Sequence, residues 1–230
     1  MKICNVFFDL DRTLWDFESN SQEMLSELYK DYKLDNIVDA DEGSFILKYK
    51  EINEYYWEKY RIGEVNKETL RTIRFHKTFE YYKVKNKELS DAFAGDYIQK
   101  CPLKPGLLPG TKELLDYLHN KVKLHIITNG FEEVQHVKME ASGINQYFDV
   151  VMTSEKAGCK KPDTDIFIKA LKDADADAST SLMVGDHFEI DVIGAQNVGM
   201  KALLYDPYQT YPGISTGKIH HLSEIQDIIP

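Results

Sequence analysis

Residues 3–13 read Ile3-Cys4-Asn5-Val6-Phe7-Phe8-Asp9-Leu10-Asp11-Arg12-Thr13: a short apolar run that stops at an acid, with a second acid two positions on. The run has the length and bulk of a buried strand. An extended chain end carries Asp9 and Asp11 out together, so both carboxylates fall near one point. In a doubly wound sheet the ligand site lies outside the carboxyl ends of the strands, which makes an acid pair at a strand exit a candidate site. Taken alone, the same five residues Asp9 to Thr13 could equally be a turn and a helix cap.

Working outward, comparable apolar runs recur at residues 124–128, 150–153, 182–185 and 202–205, separated by helical stretches at 111–118 and 163–171. Strands alternating with helices predict an α/β fold, a doubly wound parallel sheet covered on both faces. Between the first run and the rest lies a stretch of another kind. All seven prolines follow residue 101, and only Gly43, Gly63 and Gly95 precede it, so residues 16–100 can form long helices joined by few turns. Met24, Leu25, Leu28 and Tyr32 make one helical stripe, Phe45, Tyr49, Ile52 and Tyr56 a second, and Phe75, Phe79 and Tyr82 a third. Asn20 with Glu23 offers a capping pair for the first of these helices. The expected organisation is an α/β core made of residues 1–15 and 101–230, with an all-α domain of residues 16–100 inserted into it.

The segments after the later strands test the idea of a site. The second run ends in Thr128-Asn129-Gly130 and leads into a helix. A loop near the third carries Lys160-Lys161-Pro162-Asp163, also entering a helix. The fourth ends in Gly185-Asp186, with Asp191 five residues on. Each piece alone has a plain reading as a turn, a cap or a solvated surface. Four of them, each at a strand end and in this order, favour the joint one.

Composition narrows the classes of function. With 28 basic against 38 acidic side chains the formal charge is −10, which argues against binding a nucleic acid polymer, because such domains concentrate positive charge. Hydrophobic residues at 43% are enough for a sizeable core. Cys4, Cys101 and Cys159 are widely spaced, with neither a disulfide framework nor a zinc pattern. Residues 1–9 meet an acid too early for a signal peptide, and no apolar run approaches the roughly 18 residues that span a bilayer. The expected setting is reducing and cytoplasmic, without a membrane.

The four strand-end segments resemble the four ordered motifs of the haloacid dehalogenase (HAD) superfamily, and residues 16–100 sit where members of one subfamily insert a helical cap. The resemblance implies a Mg²⁺-dependent phosphomonoester hydrolase. By it, Asp9 is the nucleophile that forms an aspartyl-phosphate, and Asp11 the acid and then base of the two displacements. Mg²⁺ would take the carboxylates of Asp9 and Asp186 and the backbone carbonyl of Asp11, with Asp191 in an outer role orienting a metal-bound water. Thr128, the backbone amides at Asn129 and Gly130, and Lys161 would bind the phosphoryl group. His187 departs from the pattern, since many relatives carry a smaller polar residue there.

Single positions separate the branches of the family. Dehalogenase members replace the second acid of the first motif, and Asp11 is retained. Phosphonatase members place a cap lysine close after that motif, whereas the first lysine after Thr13 is Lys30. Mutases share the motifs and stay open, as does a non-catalytic binding protein on the same scaffold. Residues 126–131, Gly143 and residues 147–149 resemble the bacterial nucleotidases that act on nucleoside 5′-monophosphates, often pyrimidine ones. Sugar or glycolate-like phosphates are the alternative small-molecule substrates. Residues 16–100 hold 15 of the 27 aromatic residues, so Tyr56, Trp57, Tyr60 or Phe75 could stack a base, although rings at helical spacing more often fill a core. Arg61, Arg71 and Arg74 are further candidates of the same standing. Oligomeric state stays open.

Overall fold

The structure is a computed structural model describing residues 2–214 and 217–230. In chain order, β1 (Asn5–Phe8) precedes the helices α1 (Phe17–Asp31), α2 (Glu42–Arg61), α3 (Lys67–Tyr81), α4 (Lys87–Lys100) and α5 (Thr111–Leu118). Then come β2 (Lys123–Thr128), α6 (Glu132–Ala141), β3 (Val150–Thr153), α7 (Ser154–Ala157), α8 (Thr164–Asp173) and β4 (Ser181–Gly185). A π-helical turn at Phe188–Ile193 runs into α9 (Gly194–Gln196), followed by β5 (Lys201–Tyr205), β6 (Lys218–Ile219) and α10 (Ile225–Ile228). Among the described residues no helix is long and apolar enough to cross a membrane.

The six strands form one sheet in the order β3-β2-β1-β4-β5-β6, and every pairing is parallel. Val6, Phe7 and Phe8 are fully buried, as a central strand covered on both faces requires. Phe7, Ile127, Met152 and Met183 pack on one face with Ile166, Phe167 and Ala170 of α8. After β1 the chain adds β2 and β3 on one side and then β4 and β5 on the other, so the strand order reverses between β1 and β4. That reversal is where an open α/β sheet leaves its ligand crevice. The expected α/β class and parallel sheet are found. The two-residue β6 lies outside the expectation, because a pairing that short carries no periodicity.

The chain divides into two compact units, Met1–Phe17 with Pro105–Pro230, and Glu18–Lys104. These divisions fall slightly later than the composition boundaries at 15/16 and 100/101. Phe17 lies 6.3 Å from the Trp15 ring, and Lys104 pairs with Glu23 and Glu27 of α1 at 2.8 and 2.7 Å. Each contact carries its residue past the break in composition.

Within residues 18–104, Asp41, Asn66 and Asn86 cap α2, α3 and α4 by accepting from the amides of Ser44, Thr69 and Leu89. Phe45, Tyr49, Phe75, Phe79, Phe93 and Tyr97 fill the interior, with neighbouring ring centroids such as Tyr49–Phe75 at 4.9 Å and Phe79–Phe93 at 5.4 Å. The Asn20–Glu23 cap is not formed. The turn after β1 closes with Leu14 N and Trp15 N both donating to Leu10 O, and Phe17 N to Trp15 O, so α1 starts at Phe17 and Asn20 is buried inside it.

Candidate active site

Asp9 leaves the end of β1, its amide donating to Val184 O of β4 at 2.9 Å, so the backbones of two central strands fix where its carboxylate points. Lys161, brought from the loop before α8, is 2% exposed and donates from Nζ to Asp9 Oδ1 and to Asp191 Oδ1, each at 2.6 Å. Asp191 sits on the π-helical turn after β4, and its other oxygen accepts from the His187 amide at 3.0 Å. Gly185 makes this approach possible. A Cβ there would lie 2.4 Å from the Asp191 carboxylate carbon, a distance no side chain tolerates. The exceptional residue His187 therefore contributes through its backbone, while its ring lies 6.3 Å from that of Tyr211.

Three carboxylates, Asp9, Asp186 and Asp191, have oxygens within 4.8 Å of one another. Burial pushes the Asp9 carboxyl up to about 7, against the pull of Lys161 and with the help of Asp191 and Asp11. Burial likewise raises Asp186 well above the usual carboxylate range, reinforced by Asp9 and Asp191 and opposed by Arg12 and Lys161. Lys161 is held protonated by its two carboxylate partners despite burial. Three carboxylates thus share one lysine, two of them hold their protons readily for want of further positive charge, and the donor set is all oxygen. A hard divalent cation fits such a site.

The side chain of Asp11 turns the other way, toward α6. Its Oδ2 accepts from Gln135 Nε2 at 2.9 Å and its Oδ1 from Lys138 Nζ at 2.5 Å. Gln135 Nε2 also reaches Thr128 Oγ1 at 2.8 Å, and the Gly130 amide donates to the same hydroxyl at 3.1 Å. The Asn129 side chain is paired both ways with the backbone of Lys161: Nδ2 donates to Lys161 O at 3.0 Å, and Lys161 N donates to Oδ1 at 2.8 Å. Asn129 therefore sets the lysine loop with its side chain. Its amide remains the group that could face a phosphate.

A family model described as haloacid dehalogenase-like hydrolase matches residues 6–205, which includes every residue of this cluster. The chain belongs to that family. Among relatives, this hydrolase is 34% identical over 196 residues to pyrimidine 5′-nucleotidase YjjG of Escherichia coli, covering 85% of this chain and 82% of that one. It is 31% identical over 215 residues to ribulose-1,5-bisphosphate 5-phosphatase of Halopiger xanaduensis, covering 88% and 84%. The HAD-hydrolase YfnB of Bacillus subtilis, solved bound to magnesium, shares the fold with a TM-score of 0.87 at 24% identity, over 100% of this chain and 99% of that one. The hydrolase is a phosphatase of its family, and HAD hydrolases generally use Mg²⁺.

The motif residues of the hydrolase form two groups around β1: Asp9, Lys161, Asp186 and Asp191 in one, Asp11 and Thr128 in the other. Two residues bonded to the second group, Gln135 and Lys138, have no place among the motifs. They lie three apart on α6, both buried, while Val134 and Val137 are half-buried. Polar residues at helical spacing on the face that should be apolar are the signal that sequence offers for them. In the helical unit, Phe75 is enclosed by Tyr49, Phe93 and Tyr97, which makes it core rather than a stacking platform. Tyr60 is buried edge-on to Trp57, whereas Tyr56 and Trp57 keep part of their surface. Arg61 pairs with Glu54 at 2.9 Å, Arg71 is half-buried, and Arg74 is buried on Leu70 O, Tyr49 Oη and Asn53 Oδ1.

Proposed function

We propose that the hydrolase is a Mg²⁺-dependent phosphomonoesterase that works through an aspartyl-phosphate on Asp9 and acts on nucleoside 5′-monophosphates. The observation that carries the reading is the convergence of Asp9, Lys161, Asp186 and Asp191 at the switch point of the sheet, with Asp11 two residues beyond Asp9. Asp9 attacks phosphorus through a carboxylate that β1 and β4 hold still. Asp11 gives a proton to the leaving oxygen as its bond to phosphorus breaks, then takes one from the water that attacks the aspartyl-phosphate. Lys161 offsets the charge of Asp9 and of the incoming phosphoryl oxygens, and Thr128 with the Asn129 amide orients them. Mg²⁺, held by the carboxylates of Asp9 and Asp186 and the carbonyl of Asp11, would supply the positive charge that a dianionic substrate needs to approach buried acids. Asp191 keeps Lys161 in place.

Nucleotides are favoured by the similarity to the pyrimidine 5′-nucleotidase and by the resemblance at residues 126–131. The likeness to a sugar-bisphosphate phosphatase keeps small sugar phosphates as a second reading. A phosphate-release panel of pyrimidine and purine 5′-monophosphates against sugar phosphates, with and without Mg²⁺, separates the two. In that panel Asp9→Asn is expected to lower activity by at least about 10³-fold while circular dichroism stays native. Turnover near wild type in the variant would overturn the mechanism, and preference for sugar phosphates would overturn the substrate.

A further inference from the structure

Among the described residues, the side-chain hydrogen bonds to Asp11 come from one helix. Lys138 and Gln135 project from consecutive turns of α6 and take one carboxylate oxygen each. Both are buried, Lys138 at 7% exposure and Gln135 at 0%. Lys138 is further fixed by the indole of Trp15, whose ring centroid lies 4.4 Å from Nζ and whose own side chain is fully buried. Trp15 O in turn accepts from the amide of Arg12, which closes the turn that carries Asp11. The carboxylate is thus clamped by two donors that cannot swing into solvent.

Gln135 does more than brace Asp11. Its Nε2 spans Asp11 Oδ2 and Thr128 Oγ1, so the proton-transfer group and a phosphate-contacting group share one donor. The packing reserves this place for it: a Cβ on Gly130 would fall 2.2 Å from Gln135 Nε2. Gln135 Oε1 is buried with no hydrogen-bond partner among the described residues. An interior amide placed for stability alone would satisfy its carbonyl too, so an orphaned acceptor calls for another reason.

We propose that Lys138 and Gln135 are positioning residues that hold the Asp11 carboxyl in the orientation its proton transfers need and tie that orientation to Thr128. The inference rests on the phosphomonoesterase reading. In the first displacement the proton leaves Asp11 for the ester oxygen while the electron pair of the P–O bond moves onto that oxygen. An alkoxide leaving group depends on this proton. A nitrophenoxide leaves without it.

The test compares kcat/KM for a nucleoside 5′-monophosphate and for p-nitrophenyl phosphate, with Mg²⁺, in wild type, Lys138→Met, Lys138→Arg and Gln135→Leu. Because kcat/KM reports the steps through phosphoryl transfer to Asp9, the leaving group registers there. Lys138→Met is expected to cut the value for the nucleotide by about 10²-fold and that for the aryl ester by only a few-fold, with KM little changed. Lys138→Arg should recover most of the loss. Should Lys138→Met fail to fold, Gln135→Leu carries the same comparison. Equal losses on the two esters, or none, would overturn the proposal. Absence of Mg²⁺-dependent release from either ester by wild type would instead overturn the reading beneath it.

Discussion

The carboxyl end of the sheet and its middle each bury a basic side chain, and they treat it in opposite ways. At the carboxyl end Lys161 lies between Asp9 and Asp191 and keeps its charge. In the middle of the sheet His125 of β2, level with Phe7 of β1, is fully buried, with Asn5 Oδ1 at 3.2 Å and the Phe7 ring at 4.6 Å. Burial lowers its ring to about 4, opposed by Asp149 and aided by Lys123, so it is neutral at physiological pH. One sheet therefore offers the same low-polarity interior to both bases, and the partners decide whether a charge survives there. Neutral partners give a structural pair. Carboxylates in excess of their cation give a site that still wants positive charge.

The contrast can be broken most forcefully at Lys161. Lys161→Met leaves Asp9 and Asp191 facing each other in a buried place, and removal of one partner from a buried pair costs about 3–5 kcal/mol. The variant should lose that much in chemical denaturation without Mg²⁺, and its kcat/KM should fall by about 10²-fold or more. Unchanged stability would mean that the two carboxylates are not held as a charged pair. A smaller disturbance is Gly185→Ala, which leaves every charge in place and moves only Asp191. An activity loss of about 10-fold or more is expected, with the Lys161 contact to Asp9 intact; wild-type rates would show that the position of Asp191 is immaterial.

At the neutral base the effect is confined to acid. Unfolding lets His125 take a proton below 6.5, whereas the folded ring resists until about 4. The unfolded state binds more protons at this site in that window, so the stability His125 contributes is lost as pH drops from 6.5 to 4, by a total on the order of 3 kcal/mol, while the raised Asp9 and Asp186 carboxyls act in the opposite sense. In His125→Gln, which can still bond Asn5, the melting temperature at pH 4.5 relative to that at pH 7.5 should be higher than in wild type. An identical pH dependence in the two proteins would show that His125 contributes nothing to it.

The same physics decides how much of the molecule is legible in its sequence. Strand exits announce themselves because an apolar run must end and an acid there is conspicuous, so Asp9, Asp11, Thr128, Lys161, Asp186 and Asp191 can all be named. The donors on α6 cannot, since a Gln and a Lys on a helix are ordinary until the helix is seen to turn them inward. Asn129 is read for its backbone amide, and that its side chain also serves the Lys161 backbone is a pairing between loops 32 residues apart that no local pattern encodes. The start of α1 misleads for a related reason: the tight turn after Asp11 uses up so few residues that the helix begins before its apparent cap. Of the six strands only β6 is hidden, because Lys218 and Ile219 pair with β5 through tertiary placement alone.

The position of β1 has a consequence for assembly during synthesis. Its partners in the ladder begin at Lys123 and Ser181, so the strand that delivers Asp9 is made long before either neighbour exists. Residues 18–104, with their own capped helices and aromatic interior, can condense in the meantime from local contacts. Asp9 sits on a strand that gains its first neighbour with β2 and its second only with β4, so its cluster with Lys161, Asp186 and Asp191 assembles only after β4 is made. A cluster drawn from such distant parts of one chain therefore waits for the latest-made of them, while the helical unit can already be folded.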